Sequence, residues 1–127
     1  MKTLIIVIIL SLIGCTEQLT DSSSQPKPLA ACGFDNPKQQ LSWLKDLIAK
    51  ADEDRATMAF KGNYLGIIYL EKYQNQDVFW VEMMMNSGGL MGRAFQCEGT
   101  IIEFTNETGQ NFHKGLRRDV VVYSNQY

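Results

Sequence analysis

The sequence predicts a single α+β domain in which one N-terminal amphipathic helix packs on an antiparallel β-meander of four to five strands. Two observations predict this class. Apolar residues recur at helical spacing over residues 37–55, and the pattern then changes to short apolar, aromatic or β-branched runs separated by turn residues. A helix followed by a series of strands is typical of a layered α+β domain.

The helix is predicted over residues 37–55. Asn36 is a favourable N-cap, Pro37 suits the first turn, and Gln39 is spaced to close a capping box. An apolar stripe then contains Leu41, Trp43, Leu44, Leu47, Ile48 and Ala51. Charged residues occupy the opposite side, so this helix must bury one face.

Strands are predicted at 64–73, 78–85, 90–97, 100–105 and 119–124, most of them joined by hairpin turns. Pairing through these turns places Arg93 and Phe95 on one face of the sheet and Ala94 on the other. Neither face is cleanly polar, so we expect both to be covered. The helix covers one face, and the tail around Phe112 and Leu116, a second subunit or a ligand covers the other.

The N-terminal segment has the organisation of a bacterial signal peptide. Lys2 is followed by the apolar run 4–10, which is shorter than the ~20 residues that a transmembrane helix needs. The box Leu12-Ile13-Gly14-Cys15 predicts cleavage after residue 14 and lipidation of Cys15. The alternatives are a secreted protein with an incidental cysteine and an uncleaved anchor. Two or more acyl chains give stable anchoring, and we expect the cell envelope, at the outer membrane.

Residues 15–31 are then the lipidated cysteine and a polar tether, and residues 32–127 form the domain. With Cys15 set aside, Cys32 and Cys97 remain as one pair, which predicts a disulfide in an oxidising compartment. The alternatives are a reactive thiol or a metal pair, but zinc needs more ligands than these cysteines and the lone His113 supply. No metal or cofactor is therefore expected.

Composition argues against a nucleic-acid partner, because the formal net charge is −2 and both signs are interspersed. The partners that we expect are the membrane, through the N-terminal lipid, and an envelope protein or a glycan. No nucleophile elbow, phosphate loop or metal motif is present in the sequence. Residues 106–108 match a glycosylation sequon, but a turn is the preferred interpretation.

Six residues are candidates for ligand binding, all on one predicted sheet face: Tyr69, Tyr73, Trp80, Glu71, Glu82 and Arg93. The aromatic rings suit a binding face for a glycan or a protein, although the core is the commoner place for them. Two carboxylates at a diagonal spacing of about 7–8 Å fall in the range used for glycoside hydrolysis. The more frequent alternative is a solvated face with an Arg93–Glu82 ion pair.

Several motifs give the chain a family resemblance. It begins with Cys32-Gly33-Phe34-Asp35-Asn36-Pro37 and Leu41-Ser42-Trp43-Leu44-Lys45, and later carries Val78-Phe79-Trp80-Val81 and Cys97-Glu98-Gly99. Over residues 32–105 it resembles a group of small uncharacterised lipoproteins of Bacteroidota. The resemblance implies no catalytic residues. Many of those relatives have further cysteines in the third strand, which this chain lacks, so Cys32 and Cys97 are the only pair available here.

The sequence therefore favours a non-enzymatic, lipid-anchored binding domain that works through the Trp80 face. A structural or assembly accessory of the envelope is the alternative, and a small hydrolase using Glu71 and Glu82 is a weaker one. Inhibition of another enzyme suits the size of the domain but has no residue-level support. The aromatic-face hypothesis requires an accessible Trp80.

Overall fold

The computed structural model describes residues 29–85 and 92–126. Cys15, the predicted signal peptide and most of the predicted tether lie outside the described residues. The helices are α1 (Pro37–Gln40), α2 (Ser42–Thr57) and α3 (Asn106–Gly115). The strands are β1 (Gly66–Tyr73), β2 (Gln76–Met83), β3 (Arg93–Phe95) and β4 (Val121–Ser124). No helix within the described part of the chain is both long and apolar enough to cross a membrane.

The strands form a four-stranded antiparallel sheet in the order β3-β2-β1-β4. The predicted α+β class is thus confirmed, but two details are corrected. The sheet is not a simple meander, because β4 returns to the far edge and pairs with β1. The domain also has a helix that was not predicted, α3, which lies between β3 and β4 in the chain.

The predicted helix over 37–55 is two helices that meet at Leu41. The backbone is extended there, with φ −89° and ψ 109°, and the buried Leu41 side chain joins the core. The carbonyl of Leu41 accepts the first hydrogen bond of α2, from Lys45 N–H at 3.0 Å. The predicted capping box through Gln39 is wrong, because Gln40 Oε1 is the group that accepts the N–H of Asn36, at 2.9 Å.

One face of the sheet packs against α2. Apolar side chains from the helix and all four strands form this core, including Leu44, Leu47, Ala51, Ile68, Phe79, Val81, Met83, Phe95 and Val122. Trp43 stacks on Phe95 at 5.2 Å between ring centroids and meets Phe79 edge to face at 5.5 Å. The apolar stripe of the predicted helix therefore has the partner that its periodicity required.

The face assignment of β3 is corrected by the observed register. Phe95 pairs with Phe79 and Ala94 pairs with Trp80, so Phe95 faces α2 and Ala94 faces away from it. The prediction was one residue out, and a one-residue slip transfers every side chain to the opposite face. The predicted strand 100–105 is also wrong. This segment forms an isolated bridge between Phe95 and Ile101 instead of a strand.

The second face is covered by the tail, as one of the three predicted alternatives stated. Phe112 is buried against Tyr69 and Trp80, and Leu116 packs at the edge of the same cluster. Residues 106–108 begin α3 and are not a turn. Thr105 is the N-cap: its hydroxyl accepts Thr108 N–H, and its own N–H donates to the Thr108 hydroxyl.

The predicted Cys32–Cys97 disulfide is present, with 5.7 Å between the Cα atoms. Both ends are fixed by hydrogen bonds, from Cys32 N–H to Asp77 Oδ2 and from Trp43 Nε1–H to Cys97 O, each at 2.8 Å. Burial alone raises the pKa of Asp77. The hydrogen bonds from Lys72 and from the Cys32 N–H lower this pKa by more than burial raises it, so the net shift is downward. The bond joins the start of the domain to the turn after β3.

Candidate functional site

Helix α3 lies over the sheet face that carries most of the predicted site residues, and it is the centre of the candidate site. Of its ten residues, Phe112 is the buried one. The Phe112 ring stacks on Phe104 at 4.9 Å and meets Tyr73 and Trp80 edge to face, both at 5.6 Å. Phe112 is therefore the main aromatic contact between the helix and the aromatic residues beneath it.

Two open clefts flank α3. The indole cleft, on the β3 side, has a volume of about 540 Å³ and has Trp80 and Phe104 in its wall. Asn106, Gln110 and His113 line it from α3, and their spacing places them on one face of the helix. The His113 ring stands perpendicular to Trp80 at 4.9 Å between centroids. This cleft thus combines aromatic rings with amide and imidazole groups.

The tyrosine groove, on the other side of α3, has a volume of about 390 Å³. Tyr73, Phe112 and Leu116 supply its apolar lining, and Glu71 and Asn111 are among its polar residues. Four of the six predicted binding residues are divided between the two clefts: Trp80 and Arg93 line the first, and Glu71 and Tyr73 line the second. Tyr69 and Glu82 line neither of these clefts.

The predicted aromatic face is formed, but it is not exposed. Tyr69 pairs with Trp80 across β1 and β2, as expected for residues on one face. The exposed fraction is 8% for Tyr69 and 2% for Trp80, because α3 and its neighbours lie over them. The indole Nε1–H donates to Glu82 Oε1 at 2.8 Å. The version of the binding hypothesis that needs an accessible Trp80 is therefore wrong.

The carboxylate pair also differs from its prediction. Glu71 pairs with Val78 and Glu82 pairs with Ile67, so the two acids are four positions apart in the β1 register and are not diagonal neighbours. Glu71 is buried, and it accepts the backbone N–H groups of Arg118 at 2.8 Å and Arg117 at 3.3 Å. Glu71 therefore holds the segment after α3.

Arg118, which the sequence analysis did not single out, takes the place predicted for Arg93. Its Nε–H donates to Glu82 Oε1 at 2.7 Å. Arg93 is opposite Val81 in the register and therefore shares the α2 face, so the predicted Arg93–Glu82 pair does not form. The backbone of Arg118 is in the left-handed region, at φ 53°. Residues other than glycine rarely adopt this conformation, so the local sequence pattern did not predict it.

The two predicted acids do not lie together at one cleft. Glu71 lines the tyrosine groove with its oxygens already accepting backbone N–H groups, whereas Glu82 lines neither cleft. Within residues 29–85 and 92–126, no group of three His, Cys, Asp or Glu side chains is arranged to hold a metal ion.

Comparison with protein-family models, with curated proteins and with solved structures gives no significant match for this chain. The fold and the site alone define its class. It is a disulfide-linked α+β domain in which a short helix lies over an aromatic sheet face between two open clefts.

Proposed function

We propose that this protein is a lipid-anchored protein of the cell envelope whose domain is a non-enzymatic binding module. The observation that carries the proposal is the pair of clefts beside α3, with volumes of about 540 and 390 Å³. Both fall in the range of about 300–1,000 Å³ that is usual for ligand sites. Each combines aromatic walls with a few polar groups, which is how such sites bind and orient a ligand.

The anchor is supported by the sequence before the domain. The lipobox ends at Cys15, and Leu29, the first described residue, follows 14 positions later. A lipid at Cys15 would therefore keep the domain close to the membrane surface. The Cys32–Cys97 disulfide agrees with an oxidising, extracytoplasmic compartment.

In-cell photo-crosslinking tests the binding proposal. A photoreactive residue at Gln110 reports on the indole cleft, one at Asn111 reports on the tyrosine groove, and one at the exposed Glu53 of α2 is the matched control. We expect adducts from position 110 or 111 that are absent from position 53. Identical adducts from all three positions would contradict the proposal, and one stoichiometric envelope protein would favour an assembly role over glycan binding.

Cys15→Ser tests the anchor in the same cells. The variant should remain an unprocessed precursor and lose palmitate labelling, because serine has no thiol to form the thioether to the lipid. Cys32→Ser is the control, since it removes a different cysteine and should keep the label. Continued labelling of the Cys15→Ser protein would show that the lipid is attached elsewhere.

A further inference from the structure

We propose that α3 is a separable cover and that the sheet face beneath it is a groove for an amphipathic partner helix with one aromatic anchor residue. The inference rests on the proposed binding function and names the site and the class of partner. It also gives a use to Tyr69 and Trp80, which are buried in the covered state.

The first argument is that α3 is weakly held by its own sequence. It has ten residues, fewer than the roughly 12–15 at which isolated helices become even marginally stable. Gly109 and Gly115 lower its helix propensity further. Phe112 is the buried residue among the ten, and the exposed His113 adds one ring contact with Trp80, so Phe112 is the main side chain that holds the helix on the sheet.

The second argument is that the floor does not need α3 to stay formed. The strands beneath are paired with one another, and α2 packs on their opposite face. The polar atom of Trp80 is satisfied within the floor, because its indole N–H donates to Glu82 on the same strand. Lifting α3 therefore breaks no hydrogen bond of Trp80.

The third argument is that the segment has fixed ends. Ile102 N–H donates to Ala94 O at 2.8 Å on one side, and Arg118 is bound to Glu71 and Glu82 on the other. Residues 103–116 lie between these attachments, because the Arg117 N–H also donates to Glu71. They can leave the sheet as one unit while β4 keeps its pairing with β1.

The class of partner follows from the present occupant. Helix α3 inserts one aromatic residue, Phe112, and keeps Asn106, Gln110 and Asn111 at the clefts. The clefts on both sides show that the trough is wider than this helix. A longer helix with the same kind of aromatic anchor fits the floor and uses the flanking space, which is the helix-in-groove mode of recognition.

The chain has two tryptophans, which allows the cover and the core to be followed separately. In the detergent-solubilised full-length protein, Trp43→Phe leaves Trp80 as the reporter of the covered face. Trp80→Phe leaves Trp43 as the reporter of the α2 core. We expect Phe112→Ala to raise acrylamide quenching of Trp80 about twofold or more and to leave Trp43 unchanged. Lys114→Ala, at an exposed position of the same helix that lines neither cleft, is the matched control.

A peptide of residues 104–116 then probes the groove. Added to the Trp43→Phe/Phe112→Ala protein, it should lower the quenching of Trp80 in a saturable manner, and the same peptide with alanine for Phe112 should not. The proposal is overturned if the native peptide has no effect, or if Phe112→Ala exposes Trp43 and Trp80 together, since α3 would then unfold only with the whole domain. These results are independent of lipid labelling and of crosslinking in cells, so either proposal can fail alone.

Discussion

Asp54 shows how a single buried side chain can organise a loop. It has no exposed surface, and its carboxylate accepts the backbone N–H groups of Phe60, Gly62 and Tyr64 at 2.9 to 3.0 Å. Burial raises the pKa of Asp54, but these N–H donors, with Tyr64 the strongest, together hold it below its ordinary value of 3.8. The carboxylate thus fixes the connection between α2 and β1.

Asp54→Asn should therefore destabilise the domain in a pH-dependent manner. The amide NH₂ has no acceptor where the carboxylate meets N–H donors. Because the folded pKa of Asp54 is lowered, its contribution is complete above pH 3.8 and is lost as the pH falls through the folded pKa. Urea unfolding should show a large difference between variant and wild type at pH 7 and a smaller one near pH 3. Glu53→Gln, at the exposed neighbouring position, should have little effect, and an equal loss at both pH values would contradict this account.

At the scale of elements, local patterns predicted the parts that bury an apolar stripe or pair through short turns. The spacing from Leu41 to Ala51 indicated α2. The β1–β2 turn was predicted at 74–77, but it is the two-residue turn 74–75, so the register differs by two positions and Tyr69 lies opposite Trp80. A shift of two positions keeps each side chain on its predicted face. The same reasoning missed α3, because Phe112 is the one large apolar residue among its ten and two of the others are glycines. Its box with Thr108 also departs from the usual Glu or Gln.

The remaining errors have tertiary causes. Ile101, Ile102 and Phe104 are apolar enough to suggest a strand, but Ile102 and Phe104 pack into the cluster beneath α3. The candidate residues were placed on the correct face in β1 and β2, whereas their burial depended on α3. Arg118 was missed because it comes from a distant segment and its contacts with Glu71 and Glu82 depend on the folded tail.

Two glycines near the disulfide, Gly99 in the turn after β3 and Gly33 at the start of the domain, offer a matched pair of substitutions. Gly99 has φ 90°, and a Cβ at this position would lie 2.6 Å from Cγ of Trp43. Gly33 has φ 78°, and nothing lies within 4 Å of the corresponding Cβ. Alanine at either site carries a left-handed backbone strain of about 1–2 kcal/mol. Gly99→Ala should lose about 1–3 kcal/mol more than Gly33→Ala, because it also displaces Trp43 from Phe95. Urea unfolding followed by near-ultraviolet circular dichroism measures the loss in the free energy of unfolding for each variant. Equal losses would show that the turn and Trp43 are not tightly packed.

For the whole molecule, the disulfide and the proposed lipid anchor use different cysteines, and one set of variants separates the two roles. The disulfide joins residues 65 positions apart, and a loop of that length gives about 4 kcal/mol on the chain-entropy model. Cys32→Ser/Cys97→Ser should therefore lower the free energy of unfolding by about that amount. Much of the stability of a small domain is then lost, since the usual total is about 5–15 kcal/mol.

The hydrogen bonds around the disulfide make this comparison specific. Asp77 accepts the backbone N–H of Cys32, and Trp43 donates to the backbone carbonyl of Cys97, so both contacts remain available to serine. Wild type under reducing conditions should match the double variant, whereas Cys15→Ser should keep the oxidised unfolding midpoint and lose only the lipid. If the double variant instead unfolds at the wild-type urea concentration, the packing of α2 on the sheet alone stabilises the domain and the disulfide is dispensable.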